Sequence, residues 1–389
     1  MKRADFVIVG RGLMGSACAR HLAEAGCDVA LVGPDEPLDR IAHAGPFGSF
    51  HDAGRITRAI AEDAVWSRLA TRSIARYRDL EQKSGIGFYT ACGAVMAGPQ
   101  TGPMAGFSAG FLATSARLGL DHTRLAGSDL ADRFAFLDLP QDSLAAFDPT
   151  GGVIDPRAMR RAEETLARAA GAWVVPTHVT GWDGADLRLA NGGTLAAGHV
   201  VLATGAWAAT APLTDARPAM QVYQRSVLLA EIDEDEAARL SGMPSLIYVP
   251  DGVQTDLYVL PPIRYPDGRI YIKIGGEAHS PEAQDGATLN AWFKTRGSAA
   301  AGAVLEAELR RLMPRLAIRD TNTDACAVSF TATGLPYIGR IAPHITLLTG
   351  GNGAAAKSAD ELGRLGAIAA LGGNLAAEGL GVDFAPLFA

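Results

Sequence analysis

Apolar runs of strand length alternate with segments of helical period at both ends of this 389-residue chain, and a different texture fills the middle. Phe6-Val-Ile-Val9 reads as a buried strand. Ala17, Ala19, Leu22 and Ala23 then fall at helical spacing, and Val29-Ala-Leu-Val32 is a second buried strand. A polar, glycine-rich loop at 42–57 precedes a long helix near 61–83, with Trp66, Leu69, Ile74, Tyr77 and Leu80 on one face. A second helix is expected at about 156–170, with Asp155 as N-cap and Pro156 at its first position. Trp173-Val-Val and Leu187-Arg-Leu are short strands, and Val200–Trp207 is a buried strand ending in a glycine turn.

Between about 216 and 285 the pattern becomes strand after strand: Val222–Ala230, Leu246–Val249, Leu257–Leu260 and Arg269–Ile274. Turns such as Pro266-Asp-Gly268 separate them, which predicts an antiparallel sheet inserted into the first fold. One helix is expected at 287–312. Ile345–Thr349, a glycine turn and a helix over 355–371 then return to the opening pattern.

Composition narrows the classes. With 48% apolar and 20% charged residues the chain can bury a large core. A net charge of -7 without a basic run argues against nucleic acid as a partner. No apolar run approaches the 18 residues that a membrane span needs. The N-terminus runs directly into a strand, with no signal-peptide pattern. Cys18, Cys27, Cys92 and Cys326 show no metal spacing, so no metal is expected and a reduced cytoplasm is the expected location. Of 35 basic residues only five are lysines, Lys2, Lys83, Lys273, Lys294 and Lys357, which makes the placement of each one informative.

The first chemistry lies at Gly10-x-Gly12-x-x-Gly15, between the first strand and the first helix. Gly10 allows the tight turn, Gly12 lets backbone approach a pyrophosphate, and Gly15 lets helix and strand pack closely. By itself the motif admits NAD or FAD.

Four further motifs carry a resemblance. They are Gly48-Ser49-Phe-His51-Asp-Ala-Gly-Arg55-Ile-Thr-Arg58; Lys273-Ile-Gly275 after Tyr258-Val-Leu-Pro261; Cys326 five residues before Thr331-Ala-Thr-Gly-Leu-Pro336-Tyr-Ile-Gly339; and Gly350-Gly351-Asn352-Gly353 with Lys357 beyond it. Taken in order, they make the chain similar to the flavin-dependent D-amino acid oxidase-like superfamily. The similarity is greatest to the monomeric sarcosine oxidase branch, which includes N-methyltryptophan oxidase.

The resemblance implies an α/β plus α+β fold: a Rossmann-like FAD-binding domain with an inserted substrate domain on a mostly antiparallel sheet. The expected FAD-binding domain is discontinuous, at 1–90, 150–215 and 325–389, with the substrate domain at 91–149 and 216–324. FAD would be held by Gly10, Gly12, Leu13, Met14, Gly15, Asp35, Ser49, Arg55, Thr204, Gly205, Trp207, Gly351, Asn352, Gly353 and Lys357, with a covalent link through Cys326. Lys273, Arg55 and His51 would serve catalysis, and Arg58, Lys357, Tyr258 and Glu277 the substrate.

Residue chemistry agrees with these roles. Arg58 offers the planar fork that a carboxylate prefers. A cation such as Lys273 at ~4 Å from nascent superoxide, at an effective dielectric near 20, stabilises it by about 4 kcal/mol. The implied reaction oxidises a secondary or N-methyl amino acid, giving an imine that water hydrolyses, while oxygen leaves as hydrogen peroxide. The implied partners are a small amino-acid-like substrate and O2, in a monomer or homodimer.

Departures matter too. The second strand ends Val32-Gly33-Pro34 without the acid that grips a ribose, so Asp35 or Glu36 is the substitute, and Arg11 follows Gly10 where the family often has Ala. Glu277, Ala354 and Ala356 stand where sarcosine oxidases have larger or different groups, which points to a bulkier substrate with a second polar or cationic group. Two other readings stay open: a dehydrogenase that passes electrons to a carrier protein or quinone, and a non-catalytic FAD-binding subunit. An NAD-dependent dehydrogenase leaves the C-terminal motifs without a purpose.

Overall fold

A computed structural model describes residues 2–184, 186–251, 256–276 and 280–389. Its first sheet has eight strands. Lys2–Val9 lies at the centre, parallel to Val29–Val32 on one side and Thr194–Leu202 on the other. Trp173–Val175 and Ile345–Thr349 extend the parallel run outward. These strands are buried on both faces, which is why they read as continuous apolar runs. Helices Leu13–Glu24, Ala64–Ser84, Pro156–Ala169 and Ala355–Ala370 pack together on one face. Leu22, Leu69, Leu362 and Leu365 meet Ile8, Leu31 and Leu348 there in one core. Asp155 caps its helix by accepting from the Ala158 amide at 3.0 Å.

The second sheet also has eight strands, and the only parallel pair in it, among the described residues, joins Ser245–Tyr248 to Ala94–Pro99. Met220–Ile232 sits between Asp320–Thr331 and Ile270–Gly275, and Leu257–Arg264 follows. Alternation divides Ile270–Gly275 into two faces. Ile270, Ile272 and Ile274 enter a core with Val259, Leu305 and Leu309. Lys273 and Gly275 therefore face the other way, toward the first unit.

The expected helix at 287–312 is two helices, Gly286–Phe293 and Ala299–Leu312. Gly297, at φ +82°, breaks the path. Ser298 then caps a fresh start by accepting from the Ala301 amide. The loop at 42–57 holds a short strand, Arg55–Thr57, in a small three-stranded sheet with Gly152–Ile154 and Tyr89–Thr90. Asp320–Thr331 pairs along its whole length with Met220–Ile232, so a division at 324/325 falls inside a strand. Among the described residues no helix is long and apolar enough to cross a membrane, and no cluster of side chains could hold a metal.

Candidate active site

The glycine turn has the geometry its spacing implies. At Gly10 (φ +119°) a Cβ would lie 2.2 Å from the Ala203 carbonyl oxygen, and at Gly15 one would lie 1.8 Å from the Gly10 oxygen. Both positions exclude any side chain. Gly12 faces open space, and as N-cap of Leu13–Glu24 it supplies no side-chain acceptor, so the first amides of that helix are open to an anion. They border a cavity of about 490 Å³, whose walls include Gly33, Ser49, His51, Thr204, Gly205 and Trp207. Asn290 and Phe293, from the second unit, close its far side. The Asn290 Oδ1 is buried without a partner, and the hydroxyls or adenine amine of a dinucleotide would satisfy it. The chain's residues therefore fit FAD.

Of the residues expected at the cofactor, Leu13 and Met14 offer the cavity backbone amides rather than side chains, and Asp35 lies off it. The side chains of Leu13 and Met14 pack into the apolar core. Asp35 is off the cavity wall, ion-paired to Arg11 at 2.5 Å, with its side chain 66% exposed. The cause is Arg11, buried and forked onto Glu164 at 2.7 and 3.0 Å. A Cβ at position 33 would lie 2.4 Å from the Arg11 Cβ, so Arg11 forbids a ribose-binding acid at the strand end.

Two cationic pairs flank the small sheet. Arg55 opens its first strand and Arg58 follows the last residue. Arg55 donates to the Ser49 carbonyl at 2.9 Å and reaches the Cys326 sulfur at 3.6 Å. Lys273, fully buried, donates to the Gly54 carbonyl at 3.0 Å. A Cβ on Gly54 would stand 2.4 Å from the Ile263 Cδ1, so a side chain there would displace that methyl. Gly275 is required by its neighbour: a Cβ there would meet the Tyr258 ring at 2.4 Å, and that ring lies 5.7 Å from the Lys273 amine. Burial and the Arg55 guanidinium push the Lys273 amine well below its usual pKa. The Asp52 carboxylate opposes this, because it touches both Lys273 and Arg55 and accepts from the Tyr265 hydroxyl at 3.0 Å.

The second pair is Arg58 and Lys357. Lys357, 4% exposed, lies in the first turn of Ala355–Ala370 and donates to the Arg58 carbonyl at 3.4 Å. Arg58 donates to the Ile60 carbonyl. Burial lowers both pKa values, and Arg58 lowers that of Lys357 further. Neither has an ion-pair partner among the described residues. The nearby Asp148 carboxylate is spent on amides, accepting from Ala59 at 2.6 Å and from Thr150 at 2.9 Å. It pins the chain just past Arg58.

Asn352, in the left-handed region at φ 46°, bolts the Gly350–Gly353 turn to the strand that carries Cys326. Its Oδ1 accepts from the Thr331 amide at 2.9 Å, and its own amide donates to the Ser329 carbonyl at 2.8 Å. The turn and the start of the helix bearing Lys357 are thereby held against that strand. Cys326 lines a smaller hollow with Ser49, His51, Asp52 and Arg55. His51 packs edge-on against Phe50 and is neutral, with burial pushing its pKa down to about 4. Glu277 lies outside the described residues. Ala354 and Ala356 pack against the apolar core.

Sequence reasoning missed Asp52, Asp148, Tyr265 and Asn290. Asp52 stood inside a quoted motif, but nothing in the string shows that it meets a lysine 221 positions away. Asp148-Pro-Thr carries a turn signal only.

A glycine turn on a parallel sheet, bordering a cavity and joined to an antiparallel sheet that carries the buried Lys273, is the arrangement of a dinucleotide-dependent oxidoreductase fold. The chain belongs to the FAD dependent oxidoreductase (DAO) family, whose sequence profile matches residues 5–367. It is similar to monomeric sarcosine oxidase of Streptomyces avermitilis, 31% identical over 210 residues and 52% of each chain. The match thus spans about half the length of that relative, and 64% of the sarcosine oxidases of two Bacillus strains. N-methyl-L-tryptophan oxidase of Yersinia pestis is 23% identical over 65% of this chain and 68% of its own. Among solved structures, NikD, described as an unusual amino acid oxidase essential for nikkomycin biosynthesis, superposes with a TM-score of 0.78. It is 23% identical, covering 100% of this chain and 98% of its own, a likeness of fold.

Proposed function

We propose that the chain is an FAD-dependent oxidase of a secondary or N-methyl amino acid. The observation that carries this reading is the Arg58–Lys357 pair, a half-buried arginine and a buried lysine with no ion-pair partner among the described residues. A substrate carboxylate supplies the missing anion, through charge-assisted bonds of about 1.5–3 kcal/mol each. With the carboxylate fixed, the C–H next to nitrogen is presented in one orientation, and orientation supplies much of the rate. Bound FAD would supply acceptance of a hydride equivalent from that carbon and its return to an electron acceptor. The substrate's nitrogen lone pair assists, so no protein base is needed. The product is an imine, hydrolysed by water, and oxygen leaves as hydrogen peroxide under the influence of Lys273 and Arg55.

Gly10, Gly12, Gly15, Thr204, Gly205 and Trp207 hold the cofactor's nucleotide end in this reading. Gly351, Asn352 and Gly353 bring a helix N-terminus to its other end, where about half a positive charge favours the anionic form. Tyr258 walls the substrate, Cys326 forms the covalent bond, and Arg55 attends both. The first sheet with its helices acts as the FAD unit and the second sheet as the substrate unit, in a cytoplasmic monomer or homodimer. Glu277 favours a substrate bulkier than sarcosine. The Asp52 contact with Lys273 favours one second reading, a dehydrogenase that hands electrons to a quinone or carrier.

Anaerobic bleaching of the flavin by a panel of N-methyl and cyclic amino acids, with peroxide assayed in air, tests the proposal. Bleaching by none of them sinks it; bleaching without peroxide leaves the dehydrogenase. Acid precipitation should leave the colour with the pellet, and a Cys326→Ser variant should release it to the supernatant. A yellow Cys326→Ser pellet would place the bond elsewhere.

A further inference from the structure

Asp52 is a feature of this site whose role no motif explains. Its carboxylate bridges the Lys273 amine and the Arg55 guanidinium, and the Tyr265 hydroxyl fixes it from a third side. It also lines the hollow that holds Cys326 and Arg55, so it belongs to the same space as the group those residues serve. A side chain that only shaped the turn would have no need of two cations, one of them fully buried. Asp52 brings one unit of negative charge into contact with both side chains of the cluster. Like-signed charge repels, so a carboxylate in contact with Lys273 opposes any anion that forms beside that lysine.

We propose that Asp52 is a built-in counter-ion that restrains electron transfer to oxygen and thereby sets which acceptor the protein uses. The proposal rests on the reading that Lys273 and Arg55 face the reduced flavin. Oxygen gains two electrons and one proton from the anionic reduced flavin and a second proton from solvent, leaving as hydrogen peroxide with the flavin oxidised. The first electron makes superoxide, and that anion is what Asp52 disfavours. A neutral quinone that takes the same two electrons and two protons at a more distant edge of the site feels Asp52 less. Asp52 acts through Lys273 and Arg55 and is a positioning residue in this scheme.

The test uses purified holoenzyme reduced with dithionite, so that it does not depend on knowing the substrate. The reduced protein is mixed with oxygenated, mildly acidic buffer, which favours the protonated form of the Lys273 amine. Asp52→Asn, close in shape and able to keep the Tyr265 contact, should reoxidise at least about tenfold faster than wild type. Its flavin midpoint potential should also rise, because the anionic reduced flavin no longer has Asp52 near it. Asp52→Ser removes the same charge with less volume and carries the same expectation should the asparagine variant not accumulate with flavin. Equal or slower reoxidation in the variants overturns the proposal, since a turn-shaping residue would not accelerate this step. If the variants are faster but no amine ever bleaches the flavin, the amine reading fails and the role of Asp52 stands. If Lys273→Met leaves oxygen reoxidation unchanged, the placement of Lys273 at the flavin fails instead.

Discussion

The two cation pairs are built alike and finished differently. Each joins an arginine at one end of the strand Arg55–Thr57 to a buried lysine from a distant element. The Arg55–Lys273 pair is closed by Asp52, so its charge is largely met from within. In the Arg58–Lys357 pair the adjacent acid, Asp148, is turned onto backbone amides, and both head groups have only carbonyl acceptors. Burying cations without an anion is costly, and the fold tolerates that cost where a ligand is to arrive. The second pair thus lacks the internal anion that the first has, as the proposed carboxylate receptor requires, whereas the first is an electrostatic setting fixed by the protein itself.

Breaking the first pair should give the largest effect. Lys273→Met is expected to slow reoxidation by oxygen about a thousandfold while leaving anaerobic reduction by substrate intact, measured by stopped-flow. Breaking the second should act on the other half-reaction. Arg58→Met is expected to lower the kcat/KM of flavin reduction roughly a hundredfold, with oxygen reactivity of dithionite-reduced enzyme preserved. Swapped outcomes would mean that the two pairs have been assigned to the wrong half-reactions.

Binding can sharpen the contrast without chemistry. In the free protein, burial and Arg58 hold the Lys357 pKa down. A bound carboxylate restores the charged form, so binding takes up a proton. The affinity of a non-reactive carboxylate should therefore weaken with rising pH, by up to about tenfold per unit above the free-site pKa. Titration of the flavin spectrum at several pH values measures it, and a flat profile would contradict the lowered Lys357 pKa.

The smallest effect concerns a region apart from both pairs and serves as a control. His199 is buried, bonded to Thr346 at 2.8 Å, and burial with Arg340 nearby lowers its pKa to about 4. The unfolded chain binds the proton more readily, so the stability this neutral histidine represents is complete above its usual value near 6.5. It is lost as pH falls from there toward 4, at roughly 1.4 kcal/mol per unit. Melting curves across that window should be flatter for His199→Gln than for wild type, with both half-reactions unchanged.

Much of the fold was legible because its signals are local. The strand–glycine–helix unit, the Asp155 cap and the strands of 216–285 follow from periodicity and turn chemistry within a few residues. The helix at 287–312 was misread because its apolar period runs on across the break. Only the Gly297-Ser298 pair marks the stop and restart. Asp35 was misplaced for a different reason: Arg11 claims it, and that depends on Glu164 arriving from a remote helix.

The sequence by itself determined the glycine cradle, the two arginines three apart and the scarce lysines, because each is a matter of residue type at a short spacing. Tertiary structure decided which charges are compensated. Asp52, Lys273 and Tyr265 meet only where a loop of the first unit lies against a sheet of the second. Asp148 reaches the amide of Ala59 across 89 residues. Whether a buried cation faces a carboxylate or awaits one depends on distances of a few ångströms between segments far apart in the chain. Local pattern cannot encode such distances, and the Coulomb interaction depends on them steeply.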